Sequence, residues 1–184
     1  MDITNRFLKA KHWQLFLLIF GVPIFLPFIT MLLIMLVGKY VIMFQLLLLF
    51  ISIASFLTWF WSIAIGLQKS IPQNIKMKVK KFKRLFFISI IYIIFMKVFI
   101  RITVRGSNGN ILNVLIENLF AISINLFLLF SIVYLLYFTA KTFKTVELQR
   151  EVKFSDFVGE FFLILFYPIG IWALQPKINK MIKK

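Results

Sequence analysis

The chain has 184 residues, 61% hydrophobic and 18% aromatic, where an ordinary soluble domain is about 45–50% apolar. Twenty-two Lys and Arg against six Asp and Glu leave a net charge of +16, yet only 15% of residues are charged, so the cations must cluster between long uncharged stretches. This excludes a soluble globular core and predicts an all-α membrane protein, a single polytopic domain over residues 1–184 with length for four or five spans. The absence of Cys excludes disulfides, a thiolate nucleophile and Cys-based metal sites.

After a basic start with Arg6, Lys9 and Lys11, the first span is expected over residues 13–37. Its apolar run is longer than that of a signal peptide and lacks a small-residue cleavage site, so it reads as an uncleaved anchor. Pro23 and Pro27 should bend it and free backbone carbonyls, a bend that serves either as a hinge or, with no polar side chain beside it, as a packing device. The single His12, next to Trp13, reads as an interfacial residue rather than a ligand or base.

The second span, 40–66, follows a turn of Gly38 and Lys39, which makes the first two spans an antiparallel hairpin. Ser52, Ser55, Ser62 and Gly66 give it a small-residue face for close helix approach. Trp59 and Trp61 read as an interfacial aromatic belt.

The stretch Gln68 to Arg84 carries Lys69, Lys76, Lys78, Lys80, Lys81, Lys83 and Arg84. Because it joins two spans, its neighbours are expected to be lipid headgroups on the cytoplasmic side rather than nucleic acid. Ile75, Met77, Val79 and Phe82 alternate imperfectly with the lysines, as in a segment lying on the leaflet.

The third span is expected over 85–105. Its uninterrupted apolar part, Leu85 to Met96, covers only about 18 Å of a hydrocarbon core about 30 Å thick, so the helix must continue through Lys97 and Arg101. RGSNGN, Arg105 to Asn110, has turn chemistry. The fourth span, 111–138, carries Asn113, Glu117, Asn118 and Asn125 in its outer half. Lys97, Arg101, Glu117 and Asn125 form a candidate intramembrane polar seam, either a structural ion pair fixing two helices or a transport or gating path.

Residues 139–156 mix Lys141, Lys144, Arg150 and Lys153 with Glu147, Glu151 and Asp156. They predict a helical extension of the fourth span, with Asp156 as N-cap of the next element. Their composition is that of a water-exposed surface, which makes 139–156 the candidate contact for a cytosolic or membrane protein partner.

The apolar run 157–174 poses a topological problem. Four spans from a cytoplasmic N-terminus return the chain to the cytoplasm, and a fifth would carry Lys177, Lys180, Lys183 and Lys184 outside, against the positive-inside rule. A re-entrant hairpin turning at Pro168-Ile169-Gly170 removes the conflict; a fifth span is the alternative. Glu160 is expected at the interface rather than as a buried acid. In the tail, 171–184, the residues Ile171, Leu174, Ile178, Met181 and Ile182 fall on one arc and the four lysines opposite, predicting an amphipathic interfacial helix on anionic lipid. Both termini are then cytoplasmic, with eighteen of the 22 basic residues on that side (three N-terminal, seven in the long loop, four in the mixed segment, four in the tail).

The stretch VGEFFLILFYPIGIWALQPKINKMI, and within it PIGIW and QPKIN, resembles a recurring ending of small uncharacterised bacterial multi-pass membrane proteins. The resemblance implies a shared structural element and carries over no catalytic or binding residue. The chain has no HExxH, GxSxG or phosphate-loop pattern and its acids are scattered, so neither catalysis, a metal nor a cofactor is expected. The expectation is an inner-membrane, non-catalytic subunit or accessory of a membrane assembly. The alternatives are a small homo-oligomeric channel or transporter using the Lys97, Arg101 and Glu117 seam and, third, a membrane-disrupting effector.

Overall fold

The computed structural model describes residues 3–37, 40–106 and 111–183, with side chains described outside 33–37, 96–106, 111–121, 124 and 183. Among these residues the chain is all-helical: α1 (Ile3–Lys9), α2 (His12–Phe16), α3 (Val22–Val37), α4 (Tyr40–Trp61), α5 (Val79–Gly106), α6 (Ile111–Leu148), α7 (Phe154–Leu165) and α8 (Tyr167–Lys183). Three stretches are long and apolar enough to cross a membrane, His12–Leu32, Tyr40–Ser70 and Asn125–Leu148. The chain forms two compact units, Met1–Ile75 with Thr139–Lys184, and Lys76–Phe138.

In the first unit, α2 and α3 are joined through a π-helical turn, Leu17–Gly21, in which the Val22 N–H donates to the Leu17 carbonyl. Pro23 follows directly and has no N–H to give to the carbonyl four residues back, so the ladder widens before it. The prolines thus produce a change of helical pitch at the point where the sequence predicts a bend. A second π-helical turn, Ser62–Gly66, follows α4 and passes into a 3-10 turn, Leu67–Ser70.

The small-residue face of α4 is buried as expected: Ser52, Ser55 and Ser62 turn their hydroxyls back onto the carbonyls of Leu48, Ile51 and Thr58 and leave room for neighbours. At Gly66 the neighbour is α1, whose Leu8 Cδ1 and Thr4 Cγ2 lie 2.7 Å from where a Cβ would stand. Trp59 departs from the expected interfacial belt. It is fully buried, in the core of the unit.

The helical extension expected over 139–156 is present as far as Leu148, since α6 runs unbroken from Ile111 to Leu148. Its last part is interior rather than surface: Thr139, Ala140, Thr142, Phe143 and Thr145 are wholly buried. These threonines satisfy their hydroxyls locally or with neighbours, Thr145 on the Lys141 carbonyl and Thr142 on the Gln68 amide, so a polar composition fills a core. α6 stops at Gln149, whose φ of 53° is left-handed. Its N–H donates to the Thr145 carbonyl while its side-chain amide reaches the carbonyls of Val146 and Ser70, an αL helix ending made by a residue other than glycine.

Asp156 is not the N-cap of α7. That position is Lys153, and Asp156, in the first turn, accepts the Lys153 N–H at 3.0 Å and the Arg150 guanidinium at 3.3 Å. The run 157–174 is divided between two helices joined at Phe166. The turn comes ahead of Pro168-Ile169-Gly170 because Pro168 lies in the first turn of α8, where its missing N–H costs nothing. Gly170 is required for the crossing: a Cβ there would run into the Leu163 carbonyl.

In the second unit α5 begins at Val79, six residues earlier than the sequence predicts, so the basic cluster Lys80 to Arg84 forms its first turns. Phe82, wholly buried, stacks on Phe86 and on Phe138 of α6, with ring centres 5.8 and 4.8 Å apart. Lys81 places its ammonium 4.5 Å from the centre of the Tyr134 ring.

Candidate functional site

The polar groups that the first unit brings together lie where α8 meets the N-terminal helices and α6. Gln175, wholly buried, accepts the Trp59 indole N–H at 2.9 Å. Its amide nitrogen faces the carbonyls of Leu8 at 2.9 Å, Ala10 at 3.0 Å and Phe7 at 3.2 Å. Asn179, one turn on, donates to Ala10 at 3.2 Å. A short helix ends with unpaired carbonyls, and here two amides at i and i+4 on α8 supply the donors that α1 lacks. Ring contacts continue the contact line, His12 lying 4.6 Å and Phe16 5.5 Å from Trp172. His12 is therefore in aromatic packing.

A second cluster lies between α6, α7 and α8. Lys144 Nζ is 2.9 Å from Glu160 Oε1 and 2.7 Å from Glu147 Oε2. Lys177 Nζ stands 3.3 Å from Glu147 Oε1 and 4.0 Å from Glu160 Oε1. Two cations and two anions alternate. Glu160, expected at an interface, is 7% exposed, and burial of a carboxylate requires such partners. The cluster borders an open recess of about 460 Å³ lined by Ser70, Glu147, Gln149, Lys177 and Lys180. The alternation of charge makes the four groups a brace between three helices.

Of the candidate seam, Lys97 and Arg101 fall on α5 and Glu117 on α6, with side chains outside the described residues; Asn125 is exposed on α6. In the tail, Ile171, Leu174 and Ile178 are wholly buried against protein, so the apolar arc of α8 is a packing face. Lys177 is held by Glu147, Lys180 is exposed, and the side chains of Lys183 and Lys184 lie outside the described residues. No group of three metal-binding side chains occurs among the described residues.

The amides of Gln175 and Asn179 escape sequence reasoning because their backbone partners at and just beyond the end of α1 lie more than 160 residues away. Their spacing, two amides four apart on the buried side of an amphipathic helix, is the available signal. Comparison with family models, curated proteins and solved structures finds no match to this chain. Its class therefore rests on the structure: an all-helical protein with three described helices long and apolar enough for a membrane.

Proposed function

We propose that the chain is a multi-pass inner-membrane protein, with both ends in the cytoplasm, acting without catalysis as a subunit or accessory of a membrane assembly to which it offers the α7–α8 hairpin. The observation that carries this reading is the outer side of that hairpin. Around the turn, Phe166 and Ile169 are 59% and 66% exposed, and Phe162, Leu165 and Trp172 are exposed beside them, while the inner side is fixed by Gln175 and the four charges. An exposed apolar surface on a rigid support is suited to binding, because little ordering remains to be done on association.

The same geometry supports a re-entrant segment. Tyr167, at the turn, packs 6.1 Å from Phe20 and 4.9 Å from Phe56, eight and ten residues inside the ends of their helices at His12 and Gly66, or about 12–15 Å at 1.5 Å per residue. The charges of Lys144, Glu147 and Lys177 stay at the base. The bond of Gln175 to the end of α1 brings both chain ends to one side, which together with the cation count favours the cytoplasm.

Phe166→Ser with Ile169→Ser tests the assembly role. The variant is expected to keep the parent's thermal midpoint, since both side chains are exposed, and to lose the protein that copurifies with the parent and complementation of a deletion strain. Full complementation by a folded variant overturns the reading.

A further inference from the structure

Cations without a carboxylate partner among the described residues gather at the start of α5. Lys78, Lys80, Lys81 and Arg84, with Met77 and Val79, line an open recess of about 590 Å³. No carboxylate lines it, and none of the ion pairs among the described residues involves these cations. Lys177, by contrast, is neutralised by Glu147.

Above the recess the same helix face turns apolar. Lys80, Arg84, Ile88, Ile91 and Ile94 recur at helical spacing and share one side of α5. Ile91 and Ile94 are 65% and 62% exposed, and Ile88 is exposed below them. From Arg84 to Ile94 the helix rises about 15 Å, the depth of one leaflet in a core about 30 Å thick. A cationic recess of four charges at the foot of an apolar strip one leaflet long matches a lipid with phosphate at one end and acyl chain along the other. A free anion would use the recess and leave the strip without a role.

We propose that the first turns of α5 bind an anionic phospholipid bearing two phosphates, its headgroup among Lys78, Lys80, Lys81 and Arg84 and an acyl chain along Ile88, Ile91 and Ile94. The proposal rests on the membrane reading above. That reading is checked independently, by whether the chain resists alkaline extraction from membranes.

The test titrates cardiolipin into the full-length protein in detergent, with bound lipid read by native mass spectrometry and by the shift in thermal midpoint. Phosphatidylglycerol, phosphatidylcholine and inorganic pyrophosphate serve as the other probes. Cardiolipin is expected to bind tightest and phosphatidylcholine weakest, and pyrophosphate at equal concentration should not displace cardiolipin. Lys80→Gln with Arg84→Gln should weaken cardiolipin binding about 30-fold, each cation near an anionic surface contributing about fivefold, and Lys180→Gln should leave it unchanged. Ile88→Ser with Ile91→Ser should weaken cardiolipin and leave pyrophosphate unaffected. Equal binding of cardiolipin and phosphatidylcholine, displacement by pyrophosphate, or full binding by the Lys80 and Arg84 variant each overturns the proposal. A lipid-free midpoint that falls in that variant also overturns it, because the two side chains would then have a structural role.

Discussion

Replacing Gln175 by Leu conserves volume and removes both functions of the amide, leaving the Trp59 N–H and the carbonyls at the end of α1 buried without partners. Each such group costs about 1–3 kcal/mol, so the thermal midpoint of Gln175→Leu should fall well below that of Asn179→Ala, in which Ala10 keeps the Gln175 amide. Lys144 presents the electrostatic counterpart. Lys144→Met leaves the buried Glu160 only Lys177, 4.0 Å away, and is expected to destabilise by about 3–5 kcal/mol, whereas Lys144→Met with Glu160→Met, which leaves Glu147 paired with Lys177, should recover much of the loss; denaturation of the two proteins in the same detergent checks this. Asp156 adds a pH dependence. The Lys153 N–H, and then Arg150, outweigh its slight desolvation and hold its carboxyl below the ordinary carboxylate range. A group whose folded pKa is depressed contributes stability above its unfolded pKa and loses it as pH falls through the folded one. Stability should therefore decline below about pH 4, and Asp156→Asn should flatten that decline in a pH series of thermal midpoints.

Two elements depend on backbone conformations that their residues make unusual. Gly170 passes so close to Leu163 that Gly170→Ala must open the α7–α8 crossing. Overpacking of this kind costs about 1–3 kcal/mol or more, and loss of the Tyr167 contact with Phe56, followed by cross-linking of cysteines placed at 56 and 167, reports the opening. Gln149 occupies a left-handed position that costs a non-glycine residue about 1–2 kcal/mol, offset by its bonds to Val146 and Ser70. Gln149→Ala keeps the backbone cost and loses the bonds, so it should be less stable than Gln149→Gly by about 1 kcal/mol. What the sequence made legible at this scale was the position of the long apolar helices and the continuation of the fourth into 139–148. The short α1 and the inward orientation of Trp59 and Thr139 to Thr145 were not legible. In a membrane chain lipid-facing and protein-facing sides are both apolar, so periodicity loses its power to separate core from surface, and a threonine that satisfies its own backbone carbonyl resembles a surface residue in composition alone.

At the scale of the molecule, α6 with 38 residues is about 57 Å long, nearly twice a hydrocarbon core of about 30 Å. The surplus stands outside the membrane on the proposed topology and includes the Thr139 to Val146 segment with its Lys144 and Glu147. On the proposed topology a reporter fused after Lys184 is active in the cytoplasm. Activity only on the outer side would replace the hairpin by a fifth span. The candidate seam of Lys97, Arg101 and Glu117 was legible as three charges in apolar helices, whereas the charge cluster that the described structure assembles joins Glu160 and Lys177 to Lys144 and Glu147 across three helices. Sequence separation hid it. Lys144 and Glu147 announce themselves as neighbours on one helix, but nothing local indicates which distant charges complete the set.

The hydrogen bonds that the α8 amides donate to the end of α1 also set an order of events during synthesis. The carbonyls of Leu8 and Ala10 wait for residues 165 to 169 positions further along the chain, an interval on the order of ten seconds or more at about 5–20 residues per second. Until then the end of α1 and the Trp59 indole lack these partners, although α1 already has Gly66 to pack on. A chain that stops before Gln175 would hold α1 by its packing around Gly66, with the carbonyls of Leu8 and Ala10 and the Trp59 indole N–H left without the amide that joins them.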